Sequence, residues 1–200
     1  MIGFLSRLFP NLVWKIAVEG KKVFITFDDG PHPEVTSDVL AILKEFGAKA
    51  TFFCVGENVK KYPDTFQKII KDGHSVGNHT YNHLKGWKIK NPEYIKNIEK
   101  ASHYIHTNIF RPPYGKIKFF QYVKLAKKYK IIMWTCLSGD FMANRSKEKC
   151  LEKVIRCSKP GSVVVFHDSI KTRDKMLYVL PKYLEYLKNK GYSMEPVIMD

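Results

Sequence analysis

Asp28 and Asp29 stand side by side at the end of the apolar run Val23–Phe27, and Gly30-Pro31 follows them. A turn there sends adjacent carboxylates in different directions, so one can bind a cation while the other stays free to take a proton. The competing use of such a pair is to cap the turn. His79 and His83, in His79-Thr-Tyr-Asn-His83, are spaced i, i+4, which on a helical turn puts both imidazoles on one face within reach of one metal ion. Asp29 offers a third ligand, and two His with one carboxylate leave an open position for water, as catalytic zinc sites require. Surface or capping histidines are the alternative, and His74 reads as structural.

In Arg111-Pro-Pro-Tyr-Gly115 two prolines fix the backbone. That rigidity could aim the Tyr114 amide at an anion, while the planar fork of Arg111 grips a carboxylate. A rigid surface turn is the other reading. Asp140 and His167 follow successive apolar runs, and an Asp touching an imidazole raises its pKa toward general-acid duty. Either residue could instead be a buried hydrogen-bonded group.

These clusters need a scaffold that brings them to one face. Strand-length apolar runs alternate with amphipathic stretches, the pattern of a parallel α/β protein. The runs predict seven strands, at Val23–Phe27, Ala50–Cys54, His74–Gly77, Ile109–Phe110, Ile131–Thr135, Ser162–Phe166 and Tyr192–Val197. Helices are expected at Ser37–Phe46, Asp64–Lys71, Pro92–His106, Lys118–Tyr129, Lys147–Cys157 and Asp174–Lys190, with Gly47, Gly73 and Gly191 just past three of them. This favours an α/β fold, a single distorted barrel of seven parallel strands. Each reactive cluster falls at or after the C-terminal end of a predicted strand, and in a parallel barrel those ends share one face.

A chain of 200 residues suits one domain, here residues 21–200, with residues 1–20 flanking it or packing on it. Its formal charge of +15 points to an anionic partner, but the lysines are scattered, and no nucleic-acid-binding motif accompanies them. The four cysteines, Cys54, Cys136, Cys150 and Cys157, have no CxxC spacing and read as buried free thiols. Arg7, Asn11 and Lys15 interrupt the apolar N-terminus, so no signal-peptide core or spanning helix is expected. Phe4, Leu8, Phe9 and Trp14 are expected to pack on the domain rather than rest on a membrane. A cytoplasmic or membrane-peripheral monomer is the most compatible setting.

The motifs TFDDGP, HTYNH, RPPYG and FHD, in that order, resemble the polysaccharide deacetylases of carbohydrate esterase family four, the NodB homology domain. The resemblance runs from about Lys22 to about Met194, and Ala50–Gly56 and Gly73–Asn78 look like framework segments of that family. It implies a distorted (β/α) barrel, a divalent metal on Asp29, His79 and His83, zinc before cobalt or nickel, and hydrolysis of acetyl groups on a glycan. It further implies that Asp28 is the general base, held by Arg111, and that the Tyr114 amide stabilises the oxyanion. His167 is then the general acid tuned by Asp140, and Val165 lines the acetyl pocket. One motif departs from the family pattern: where many members read D-x-x-D-[WY], this chain has Leu137-Ser-Gly-Asp140-Phe141, which alters the sugar groove beside Tyr114 and Phe141. The expected substrate is an N-acetylglucosamine polymer such as peptidoglycan or a chitin-like glycan. O-acetyl esterase activity and noncatalytic glycan binding are the alternatives.

Overall fold

The alternation of apolar runs produces a curled parallel sheet wrapped by helices, described for residues 9–199 by a computed structural model. Its strands are β1 (Leu12–Val13), β2 (Lys22–Asp28), β3 (Ala50–Cys54), β4 (Ser75–Asn78), β5 (Ile109–Phe110), β6 (Lys130–Ile132), β7 (Cys136–Leu137), β8 (Ser162–His167) and β9 (Ser193–Met194). They run in the order β1-β6-β5-β4-β3-β2-β8-β7, with β9 paired to the start of β2. Every ladder among the described residues is parallel. The helices are α1 (Pro33–Glu45), α2 (Gly56–Lys61), α3 (Pro63–Lys71), α4 (Asn91–Ser102), α5 (Phe119–Leu125), α6 (Lys147–Cys157) and α7 (Arg173–Asn189).

Alternation along β2 sorts its side chains between two cores. Val23, Ile25 and Phe27 face the helices, where they pack with Val39 and Leu43 of α1 and Val179 and Leu180 of α7. Phe24 faces inward and joins Phe53, Ile109, Ile132 and Val163 in the barrel interior. Each such fully buried side chain contributes about 1.5–3 kcal/mol. Three helices begin with proline at their first turn, at Pro33, Pro63 and Pro92, where the missing N–H costs nothing. Pro33 is why the first helix starts four residues before the expected Ser37.

β6 ends at Ile132 instead of continuing to Thr135. The buried Arg111 takes the carbonyls of Ile132 (3.0 Å) and Met133 (3.0 Å), and the Met133 N–H donates to Val13 across the seam (2.7 Å). The chain re-enters the sheet as β7, so one end strand, β7, follows directly in sequence on β6, the neighbour of the other end strand β1, and the sheet curls on itself. Residues 12–16 fill the seam: Leu12 pairs with Ile131, Lys15 bridges Ser162, and the Ile16 N–H donates to Gly161 (3.0 Å). Phe9 and Trp14 pack against the cluster containing Tyr122, whereas Phe4 and Leu8 lie outside the described residues. The cysteines are free and buried, except that Cys157 is half-buried. No helix among the described residues is long and apolar enough to cross a membrane.

Candidate active site

The C-terminal ends of the strands open onto a cavity of about 490 Å³, lined by Asp28, Asp29, His79 and His83 on one side and by Leu137, Phe141 and His167 on another, with Tyr114 and Trp134 between. Asp28 ends β2 with its side chain inward, where Oδ1 accepts a hydrogen bond from Nη1 of Arg111 at 2.7 Å. Arg111 is fully buried inside the barrel, yet its donors are used: Nη1 also reaches Thr26 Oγ1, and Nε and Nη2 hold the two carbonyls at the end of β6. Its guanidinium lies 4.0 Å from the centre of the Phe53 ring. Phe53 has room there because position 77 is glycine; a Cβ on Gly77 would fall 2.4 Å from that ring. The Asp28 side chain therefore serves an arginine and not a turn amide, which removes the capping alternative.

Asp29, His79 and His83 bring ligand atoms within 4.8 Å of one another. They do not meet as a helical turn. Thr80 and His83 adopt left-handed φ of 68° and 56°, and the Thr80 and Tyr81 N–H groups donate to Asn78 Oδ1 and Asn97 Oδ1 (2.8 Å each), so a folded loop makes the approach. His79 Nδ1–H donates to the Arg111 carbonyl at 2.8 Å, which leaves Nε2 with its lone pair toward Asp29. Burial above all holds the His79 pKa down at about 4, so the ring is neutral at pH 7. Burial by itself would raise the Asp29 carboxyl, but contact with His83 and the charges of His167, His79 and His83 hold it at about 2. Asp29 Oδ1 is buried without a hydrogen-bond partner, although His83 Nε2 is 3.2 Å away. An anionic oxygen left unmet beside two imidazole rings is a donor set that fits a divalent cation.

His167 ends β8 and is clamped by Asp140, whose Oδ1 accepts from the ring Nδ1 and whose Oδ2 accepts from the His167 backbone N–H, both at 2.8 Å. Burial pushes this imidazole down. The hydrogen bond and charge of Asp140, with the charges of Asp28 and Asp29, outweigh that and lift its pKa to about 9. His167 is thus protonated at neutral pH, with Nε2 its remaining donor. Phe141, half exposed, packs edge-on against the ring at 5.2 Å.

Backbone strain concentrates at this face. The four non-glycine residues with left-handed φ among those described are Asp29 (84°), Thr80, His83 and Tyr114 (61°), all in the clusters singled out by spacing. After Tyr114 the chain must pass Trp134, and a Cβ on Gly115 would lie 2.3 Å from that indole.

The model of the family described as polysaccharide deacetylase matches residues 15–134, three of the four clusters included. The chain belongs to the polysaccharide deacetylase family. A peptidoglycan-N-acetylglucosamine deacetylase of Bacillus cereus is 32% identical over 194 residues, covering 93% of this chain and 91% of that protein. A chitooligosaccharide deacetylase of Azorhizobium caulinodans is 30% identical, covering 92% and 96%. The crystal structure of a peptidoglycan N-acetylglucosamine deacetylase with 4-naphthalen-1-yl-N-oxidanyl-benzamide superposes with a TM-score of 0.89 at 30% identity, covering 96% and 94%. Such a polysaccharide deacetylase is a hydrolase on a distorted (β/α)7 barrel.

One expectation needs correction, and one residue goes beyond the expected set. Val165 does not line the cavity: it is fully buried in the layer beneath His167, and Leu137, its partner across β7 and β8, forms the wall instead. His74 is structural as expected, since its Nδ1 accepts from the Ala50 N–H at 3.2 Å. Asp168 was missed. Its carboxylate, fully buried, accepts from Gly30 N–H (3.0 Å) and Thr36 Oγ1 (2.6 Å), and its own N–H donates to the Asp28 carbonyl (3.1 Å). It ties the turn carrying both aspartates to β8 and α1. The signal available was its place directly after His167. Asp168→Ala leaves a buried N–H and hydroxyl without their acceptor and should cost about 1–3 kcal/mol in urea unfolding, with weaker divalent-cation affinity in the same protein. Unchanged values for both would show that the turn holds itself.

Proposed function

We propose that this chain removes N-acetyl groups from a polymer or oligomer of N-acetylglucosamine, peptidoglycan or chitin-like, using a divalent metal, zinc first among the candidates, held by Asp29, His79 and His83. The observation that carries this reading is the convergence on one cavity of an arginine-held carboxylate, an Asp-His-His cluster and a protonated histidine. When bound, the metal supplies Lewis acidity, lowering the pKa of a water toward neutrality and polarising a carbonyl.

Asp28 accepts the proton of the water that adds to the acetyl carbonyl carbon, and Arg111 holds that carboxylate in place through its 2.7 Å hydrogen bond. The Tyr114 amide donates to the carbonyl oxygen as it gains charge. His167 gives its Nε2 proton to the sugar nitrogen as the carbon–nitrogen bond breaks, so acetate and a free amine leave. Asp140 fixes the ring through Nδ1 and keeps it charged. Leu137, Phe141 and Trp134 wall the acetyl group from bulk water. An imidazolium with a pKa raised to about 9 favours the amide over the ester, because an amine leaves only when protonated whereas an alkoxide needs less help.

Dialysis against a chelator should abolish acetate release from N-acetylglucosamine oligomers, and zinc or cobalt should restore it. Full activity in metal-free protein would overturn the mechanism.

A further inference from the structure

Outward from the metal-ligand cluster, aromatic rings form a continuous wall. His83 contacts the Tyr114 ring at 4.8 Å, and Tyr114 meets Trp87 edge-on at 5.2 Å. Tyr114 is 51% exposed, and Trp87 is half-buried, so the wall is open to a ligand. Two ammonium groups are held over it: Lys85 Nζ lies 5.3 Å from the centre of the Tyr114 ring, and Lys116 Nζ lies 5.1 Å from that of Trp87. A third lysine, Lys171, four residues beyond His167, lines the cavity itself. None of the three takes part in an ion pair among the described residues. The carboxylates at the cavity are engaged: Asp28 by Arg111, Asp140 by His167, and Asp29 within the histidine cluster.

We propose, resting on the deacetylase reading above, that this rim is a subsite for an N-acetyl glycan that carries carboxylates. The sugar faces lie on Tyr114 and Trp87, and the carboxylates meet Lys85, Lys116 and Lys171. A neutral glycan uses the rings alone and leaves three cations without an anionic partner. The charge placement selects within the class of N-acetyl glycans, and its effect must fall as salt screens exposed charges.

The test compares two tetrasaccharides, an N-acetylglucosamine tetramer and the same backbone with an O-lactyl carboxylate on alternate sugars. KM is read from acetate release by the metal-loaded full chain. Kd is read by equilibrium dialysis against the chelator-treated chain, where turnover does not intrude. The carboxylated glycan, whose two carboxylates share three lysines, should bind about tenfold tighter at low salt, the worth of a few modest exposed pairs, and 0.5 M NaCl should erase the difference. The triple variant Lys85→Ala, Lys116→Ala, Lys171→Ala should bring the ratio near one, and the corresponding triple arginine variant should keep it. Equal binding of the two glycans by the unaltered chain, or a ratio untouched by the alanine variant, overturns the subsite. Lysine-dependent discrimination with no acetate released from either glycan supports the subsite and overturns the deacetylase reading instead.

Discussion

Asp28→Asn retains stoichiometric metal while turnover drops by ~10²-fold or more, the usual worth of a positioned general base, and Asp29→Asn loses metal and activity together. Asn at position 28 keeps the volume and still offers an oxygen to Arg111, but it cannot accept a proton from water. At position 29 the exchange replaces the one anionic donor of the cluster by a neutral one. The structure attaches a second cost to the first variant. Arg111 is fully buried, and Asp28 is the only carboxylate it pairs with among the described residues, so losing that charge strands a cation in the barrel. Removing one partner of a buried pair typically costs about 3–5 kcal/mol, and here the carbonyl bonds and the Phe53 ring soften it. Metal content, acetate release and urea unfolding on both variants decide the matter. Metal lost from Asp28→Asn and kept by Asp29→Asn would reverse the two roles.

His167→Ala slows hydrolysis of an N-acetyl sugar by about 10²-fold or more but barely touches an activated aryl acetate, because a phenolate leaves without a proton and an amine does not. Equal losses on both substrates would remove the general-acid role. The acid must be charged to act, so kcat/KM should fall on the alkaline side. Asp140→Asn, which takes away the bond and the charge that raise the imidazole, should move that fall to lower pH. Stability follows the same sign. A histidine whose folded pKa is raised, here from 6.5 to about 9, contributes stability that is complete below 6.5 and is lost as pH rises through 9. Metal-free protein should therefore lose melting temperature between those values, and His167→Ala should flatten that slope.

Much of the site was legible because chemistry at strand ends leaves residues in fixed order. Apolar runs locate the strands, the shared face follows from parallel topology, and the polar clusters fall where each run stops. The rest depended on contacts that no local pattern encodes. The i, i+4 histidines meet through a loop with two left-handed residues, not a helix, because Asn78 and Asn97 hold its amides. The early end of β6 comes from Arg111, 21 residues away, claiming its carbonyl. Asp168 reads as an ordinary acid until Gly30 and Thr36 are seen on it. β1 lies in the N-terminal stretch that Asn11 and Lys15 interrupt, and β7 follows directly on the run Ile131–Thr135, so neither stands out as a separate strand.

The seam filled by residues 12–16 also sets an order of events during synthesis. Residues 11–16 leave the ribosome before β2, yet their partners come much later: Asn11 waits for Ala126, 115 residues on, and Ile16 waits for Gly161. Until β6 and β8 have emerged, Leu12, Val13 and Ile16 have nothing to pair with, while β2, β3 and β4 can already assemble as neighbours in chain order. The barrel thus closes only after translation has passed residue 161, and a nascent chain stalled before that point carries an unpaired apolar strand ahead of β2.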